Sequence, residues 1–333
     1  MPRVVRFGQL ADGQDVHSIT LGSDEGLQAQ VLTYGAILRS LSYPVGGRRR
    51  ELILSLDNLQ QYESDPAFVG PVVGRFANRI ARGVFATDGR LYQLTPNENG
   101  NHLHGGTRGV GKQPWRLLGA PTEFAARLAL DSPSGDEGYP GNLSVETTLS
   151  LGHDSLRIDF AARSDAPTPV NLTCHPYFNL GGEATHHWLR IPASRYLPVD
   201  AGLIPTGELA PVTDTPFDFR EGRILKPPPL YAHPQLVAGG GYDHCWVLDE
   251  DADCHCELRS PTGDIAMTIT GTGPGLQFYN GQYLSRSHPG TGSGLALEPQ
   301  GLPDAPNHPG FPDAILRPGG TYRASIQYRF SCS

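Results

Sequence analysis

Along much of this chain apolar and polar residues alternate with a period of two. Leu156 to Ala161 sets Leu, Ile and Phe against Arg and Asp, and Cys256 to Leu258, Ala266 to Ile269, Leu276 to Tyr279 and Leu295 to Leu297 are of the same kind. The longest such run, Tyr322 to Phe330, follows a turn at Pro318-Gly319-Gly320. A period of two sends successive side chains to opposite faces, which predicts half-buried strands. Asp57 to Ser64 is the one segment that predicts a helix, with Asp57 as its cap. No regular alternation of strands with helices appears, so the expected class is all-β: one large β-sandwich domain over residues 1–333.

Composition sharpens that picture. The 41 Gly and 30 Pro residues break the chain into short segments, as many strands and tight turns require. Lys226-Pro-Pro-Pro229 reads as a stiff loop inside the domain rather than a boundary. A net charge of −8 without a basic cluster argues against a nucleic-acid partner. The basic triplet Arg48 to Arg50 follows Gly46-Gly47 and reads as a solvated hairpin tip. No apolar run approaches the roughly 20 residues of a membrane helix, and Met1 to Gln14 lacks the apolar stretch of a secretion signal. The expectation is a cytoplasmic protein with no membrane contact. The spacing of the five Cys residues suggests no disulfide framework. Cys254-His255-Cys256 lacks a second pair at zinc-site spacing, so both Cys are expected in the core and no metal is expected.

Four segments carry chemistry that ordinary strands do not. In Gly74 to Ile80, Arg75 and Arg79 flank a short apolar stretch beside Asn78; taken alone this reads as a surface helical turn with solvated arginines. In Asn101-His-Leu-His-Gly-Gly106, His102 and His104 share a face if the segment is extended, and the glycines permit a sharp turn. In Asn171 to Gly182, His175 is held extended by Pro176 and is followed by Tyr177 and Phe178, aromatic faces suited to the C–H face of a pyranose. In Gly294 to Pro312, Glu298 ends an apolar strand, where desolvation should raise its pKa toward that of a general base.

Together these segments resemble the aldose 1-epimerase (galactose mutarotase) family. The likeness extends in order through Phe7 to Leu10, Tyr34 to Leu38, Gly138 to Gly141, Pro198 to Gly207, Thr215 to Phe219, Tyr242 to His244 and Leu276 to Tyr279. The resemblance implies a large sandwich with an open sugar cleft and no cofactor. It implies Glu298 as general base and His175 as general acid. Asn78, Arg79, His104, Asp243 and Gln277 fall where relatives hold sugar hydroxyls, with Tyr177 lining the cleft. The expected partner is a free monosaccharide, and the expected state a monomer or weak homodimer. Departures are Pro299 and Gly301 beside the base and the loop Gly109 to Lys112, all of which bear on substrate choice. A hexose-6-phosphate epimerase, a sugar sensor without catalysis and a two-carboxylate glycosidase using Glu298 and Asp243 are the competing readings.

Overall fold

The computed structural model describes residues 3–226, 233–288 and 292–333; Pro227 to Pro229 of the expected stiff loop lie outside them. Two antiparallel sheets form the body. The larger has nine strands, with Leu143–Leu151, Ser155–Ser164, Tyr322–Cys332 and Ile265–Gly271 adjacent at its centre. The second has six, in the order Tyr177–Phe178, Leu295–Gln300, Gly275–Tyr279, Asp243–Val247, Arg195–Tyr196 and Ala210–Pro211. A five-stranded meander from Arg3–Gln9 to Arg48–Glu51 packs alongside.

Each strand read from the alternation is present, extended by a residue or more. Ser155–Ser164 alternates buried and less buried positions over its whole length. Its buried Leu156, Ile158, Phe160 and Ala162 join Ile326, Tyr328 and Phe330 of the neighbouring strand and Leu295 and Leu297 of the second sheet in one core. The sandwich is therefore a direct product of the period-two pattern.

Three local expectations need correction. The helix runs Leu59–Ser64, and its cap is Asn58, whose side chain accepts from the amide of Gln61 at 3.0 Å. Asp57 lies one residue further out, its amide donating to Gln61 Oε1 at 2.8 Å. The hairpin at Gly46-Gly47 exists, but its arginines are not simply solvated. Arg50 donates to both oxygens of Asp264, and Arg49 to the carbonyls of Asp24 and Gly26. Arg75 and Arg79 are buried, 2% and 6% exposed, so Gly74 to Ile80 is no surface helix. Cys254 and Cys256 are buried as expected, and all five Cys are free thiols. Among the described residues no helix is long and apolar enough to cross a membrane.

Candidate active site

The second sheet builds one wall of a pocket. Leu295–Gln300 is buried at every position, which makes Glu298 a carboxylate inside a core strand. Glu298 pairs across the ladder with Gln277, and Asp243 sits one strand further on, opposite Tyr279. Gln277 Nε2 donates to Asp243 Oδ1 at 2.6 Å, so both side chains are held toward the same opening.

His175 comes from the crossing between two short strands, Thr173–Cys174 and Tyr177–Phe178. Its backbone is pinned on both sides, its amide donating to Pro71 and its carbonyl accepting from Gly70, both at 2.9 Å. Pro176 follows directly and restricts the backbone conformations open to His175. His175 Nε2 then lies 3.5 Å from Glu298 Oε1, with side chains 6% and 2% exposed.

Arg79 and His104 face this pair from the paired segments Arg79–Ile80 and His102–Leu103. The histidine segment does not stay extended. His104 has φ +50°, so His102 and His104 part ways. His102 turns into the core, bonded to Thr95 O and Tyr139 Oη at 2.7 Å each, and does not reach the pocket. His104 enters the pocket, helped by Gly105, whose φ is +88° and whose α-carbon packs so close to the Gly74 carbonyl that a Cβ would overlap it.

The cavity enclosed is about 240 Å³ and is lined by Asn78, Arg79, His104, His175, Tyr177, Asp243, Gln277 and Glu298. That size lies below the roughly 300–1,000 Å³ of drug-sized sites and suits a single sugar ring. Every residue that the family resemblance named is thus brought together. Tyr177 serves as wall, since its hydroxyl is committed to the Ala67 carbonyl at 2.8 Å.

Sequence reasoning missed two lining residues of consequence. Glu98 grips Arg79 with two bonds of 3.1 and 2.9 Å. Its position in the turn-rich Asn97 to Asn101 stretch hid it, and no sequence signal ties it to Arg79 nineteen residues away. Phe68, at φ +54°, packs with its ring tilted 4.7 Å from that of His104 and 6.3 Å from that of His175. Its loop is held by Lys112, whose ammonium donates to the carbonyls of Tyr62 and Asp65, which gives the unusual Gly109 to Lys112 loop a structural task. Gly301 likewise has a local reason: its amide donates to Asn171 Oδ1 at 2.8 Å, and a Cβ would crowd that side chain.

Electrostatically the pocket favours neutral groups at its floor. Burial pushes Glu298 well above the usual carboxylate range, with Asp243 adding to the rise and Arg79 opposing it. Burial lowers His175 to about 4. Glu298 Oε2, His175 Nδ1 and Gln277 Oε1 have no hydrogen-bond partner within the described protein. Such orphaned buried atoms are costly and call for partners from outside the protein.

His104, His175 and Glu298 present ligand atoms within 4.8 Å of one another, close enough to share a metal ion. Their outer contacts oppose that use. A metal-bound imidazole donates its second N–H to an acceptor. Here His104 Nδ1 instead accepts from the amide of Asn78, and His175 Nδ1 has no partner.

The chain is similar to known proteins over nearly its whole length. Residues 17–329 match the family model described as aldose 1-epimerase. Human galactose mutarotase is 39% identical over 98% of this chain and 97% of its own. The aldose 1-epimerase of Escherichia coli strain K12 is 37% identical over 96% of both. Among solved structures, galactose 1-epimerase from Lactobacillus acidophilus NCFM superposes with a TM-score of 0.88 at 29% identity, covering 100% of this chain and 99% of its own. An aldose epimerase homologue from C. elegans gives 0.86 at 31% identity, covering 95% and 98% respectively. Matched in fold and over nearly its whole length, this chain belongs to the aldose 1-epimerase family.

Proposed function

We propose that Glu298 and His175 are the base and acid of a cofactor-free aldose 1-epimerase, an isomerase that interconverts the α and β anomers of a free aldose. With the one proton that the pair shares placed on His175, Glu298 takes the proton of the O1 hydroxyl and His175 delivers its own to the ring oxygen as the C1–O5 bond breaks. The open aldehyde rotates about C1–C2, and the reverse transfers close the ring on the other face. The observation that carries this reading is the buried 3.5 Å pair of His175 and Glu298 at the pocket floor.

The magnitudes suffice. Unaided opening over minutes to hours corresponds to a barrier of roughly 23 kcal/mol. Two placed proton-transfer groups contribute about 10² to 10⁴ each, or roughly 5–11 kcal/mol together. Asn78, Arg79, His104, Asp243 and Gln277 hold the hydroxyls.

The substrate is a neutral sugar rather than a sugar phosphate. Glu98, Asp243 and Glu298 bring three carboxyl groups to the pocket, and Arg79 is engaged by Glu98 and lies 3.6 Å from Asp243. A phosphate would meet no uncommitted cation among the described lining residues. The chain acts as one domain, as a monomer or weak homodimer, and its free thiols suit the reducing cytoplasm.

The test is magnetisation-exchange NMR of the anomeric protons of glucose, galactose, xylose and arabinose. Faster exchange with wild type that vanishes in Glu298→Gln is the expected result. A folded protein that accelerates no free sugar would overturn the reading, and phosphorylated sugars would be tried next.

A further inference from the structure

Two histidines face Glu298, and on chemistry alone either one could serve as the acid. The structure separates them. The main-chain amide of Asn78 donates to His104 Nδ1 at 3.1 Å, while the amide of His104 donates back to the Asn78 carbonyl at 3.1 Å. Asn78 sits at φ +66°, and its side chain caps the next amide, Arg79 N, at 2.8 Å. A peptide N–H is always a donor, so the nitrogen it meets must carry a lone pair. In a neutral imidazole the proton then sits on the other nitrogen.

We infer that the Asn78 amide locks His104 as its Nε2–H tautomer, making it a fixed hydrogen-bond donor to the sugar's anomeric oxygens and leaving proton delivery to His175. The inference rests on the mutarotase reading for its substrate. Protonating His104 would put an Nδ1–H against the Asn78 N–H, two donors face to face. Giving up the Nε2 proton would leave an imidazolate. Neither step suits an acid or a base working near neutrality. The groups packed around the ring agree: burial first, then His175, Arg79 and His102, all disfavour a positive charge there. His175 carries no such lock, since its Nδ1 has no partner.

Position gives the donor its task. The ring centroids of His104 and His175 are 5.2 Å apart at 89°, and both rings have nitrogens near the Glu298 carboxylate. An oxygen placed between acid and base is therefore within reach of His104. As the hemiacetal opens, negative charge grows on that end of the sugar, and a donor already aimed there stabilises it without reorganising.

The test has a spectroscopic and a kinetic part. Long-range ¹H–¹⁵N correlation of the 12 histidines, with His104 assigned by its absence in His104→Gln, should show a bare Nδ1 and a protonated Nε2, unmoved between about pH 5 and pH 8. An Nδ1–H tautomer, or titration in that range, would overturn the inference. In the kinetics, His104→Ala should lower kcat by about 10²-fold, the usual cost of one preorganised donor. His104→Gln, which keeps an N–H at similar reach, should recover much of that loss and keep the wild-type pH profile. Loss of the alkaline limb in His104→Gln, without recovery, would make His104 the acid and sink the proposal. The tautomer is read without turnover, so an inactive wild type would remove the mutarotase reading and leave the lock itself standing.

Discussion

Replacing Glu98 by Gln tests whether Arg79, the one guanidinium among the described lining residues, is oriented by the carboxylate that the sequence did not advertise. The change keeps side-chain volume and removes a charge. It also turns one acceptor oxygen into a donor facing Arg79, so one of the two bonds at 3.1 and 2.9 Å is lost. Removing one partner of a fully buried ion pair costs about 3–5 kcal/mol, and an exposed pair is worth about 0–1. This pair lies between, with side chains 8% and 25% exposed, and Arg79 keeps Asp243 at 3.6 Å. A loss of about 2 kcal/mol is expected on those grounds.

Spread over 333 residues at about 2.1 cal/mol/K each, the entropy of unfolding is about 0.7 kcal/mol/K, so the shift in Tm is only about 3 °C. The larger signal is functional. If Arg79 swings out of register, one charge-assisted bond to a sugar hydroxyl is lost, about 1.5 kcal/mol, and KM rises about tenfold. The assay pairs thermal unfolding followed by circular dichroism with anomeric-exchange rates over a range of galactose concentrations. KM should rise while kcat changes less. A Tm and KM both indistinguishable from wild type would refute the idea that Glu98 sets the guanidinium's position.

Gly105→Ala should be among the most damaging small changes, because a Cβ there meets the Gly74 carbonyl and φ is +88°; a soluble variant with wild-type activity would show that the His104 turn is not constrained by that contact. The rate should form a broad plateau in pH, since the His175–Glu298 pair works with one proton between its members. With His175 lowered to about 4 by burial, the acid limb should lie near pH 4, and the alkaline limb should follow the raised Glu298; an acid limb near pH 6.5 would mean that His175 titrates as a free imidazole. Stability should also fall in acid, because burial holds His104, His175 and His244 neutral in the fold, His244 at about 3, whereas unfolded His charges near 6.5. That stability is complete above about pH 6.5 and is lost toward pH 4. At pH 5, unfolding takes up nearly one proton on each of His175 and His244, about 2.5 kcal/mol lost per pH unit from these two rings, with His104 adding to the loss and the raised Glu298 opposing it; urea midpoints that match at pH 7 and pH 5 would contradict it.

What was legible in the sequence divides along a physical line. Strands such as Ser155–Ser164 repeat one instruction every second residue, and sheet geometry leaves no other way to bury Leu156, Ile158 and Phe160 together. Glu298 could be read as a desolvated carboxylate because the apolar residues around it announce a core strand. The loops obey no such period. Arg75 reads as a surface residue until the fold wraps it with the Ser132 Oγ and the carbonyls of Ser132, Pro133, Pro140 and Gly141, neutral acceptors from a loop some sixty residues away. His102 and His104 look equivalent until a positive φ at His104 sends one inward to Tyr139 and the other to the pocket. Glu98, Phe68 and Lys112 act through contacts that form only once distant loops meet.

The energetics of the site follow from the same division. A regular sheet satisfies its own backbone, so Leu295–Gln300 can carry a carboxylate into the core without leaving main-chain groups unpaired. The side chains then bear the deficit: Glu298 Oε2, His175 Nδ1 and Gln277 Oε1 lack protein partners, all within one pocket of about 240 Å³. Each buried polar atom left without a partner costs about 1–3 kcal/mol. A sugar offers a hydroxyl at nearly every carbon, each both donor and acceptor, and can relieve several of these at once. A flat apolar ligand cannot. The pocket's selectivity for polyhydroxylated rings therefore arises from bonds it leaves unmade, held open by a sheet rigid enough to keep those side chains from pairing with one another.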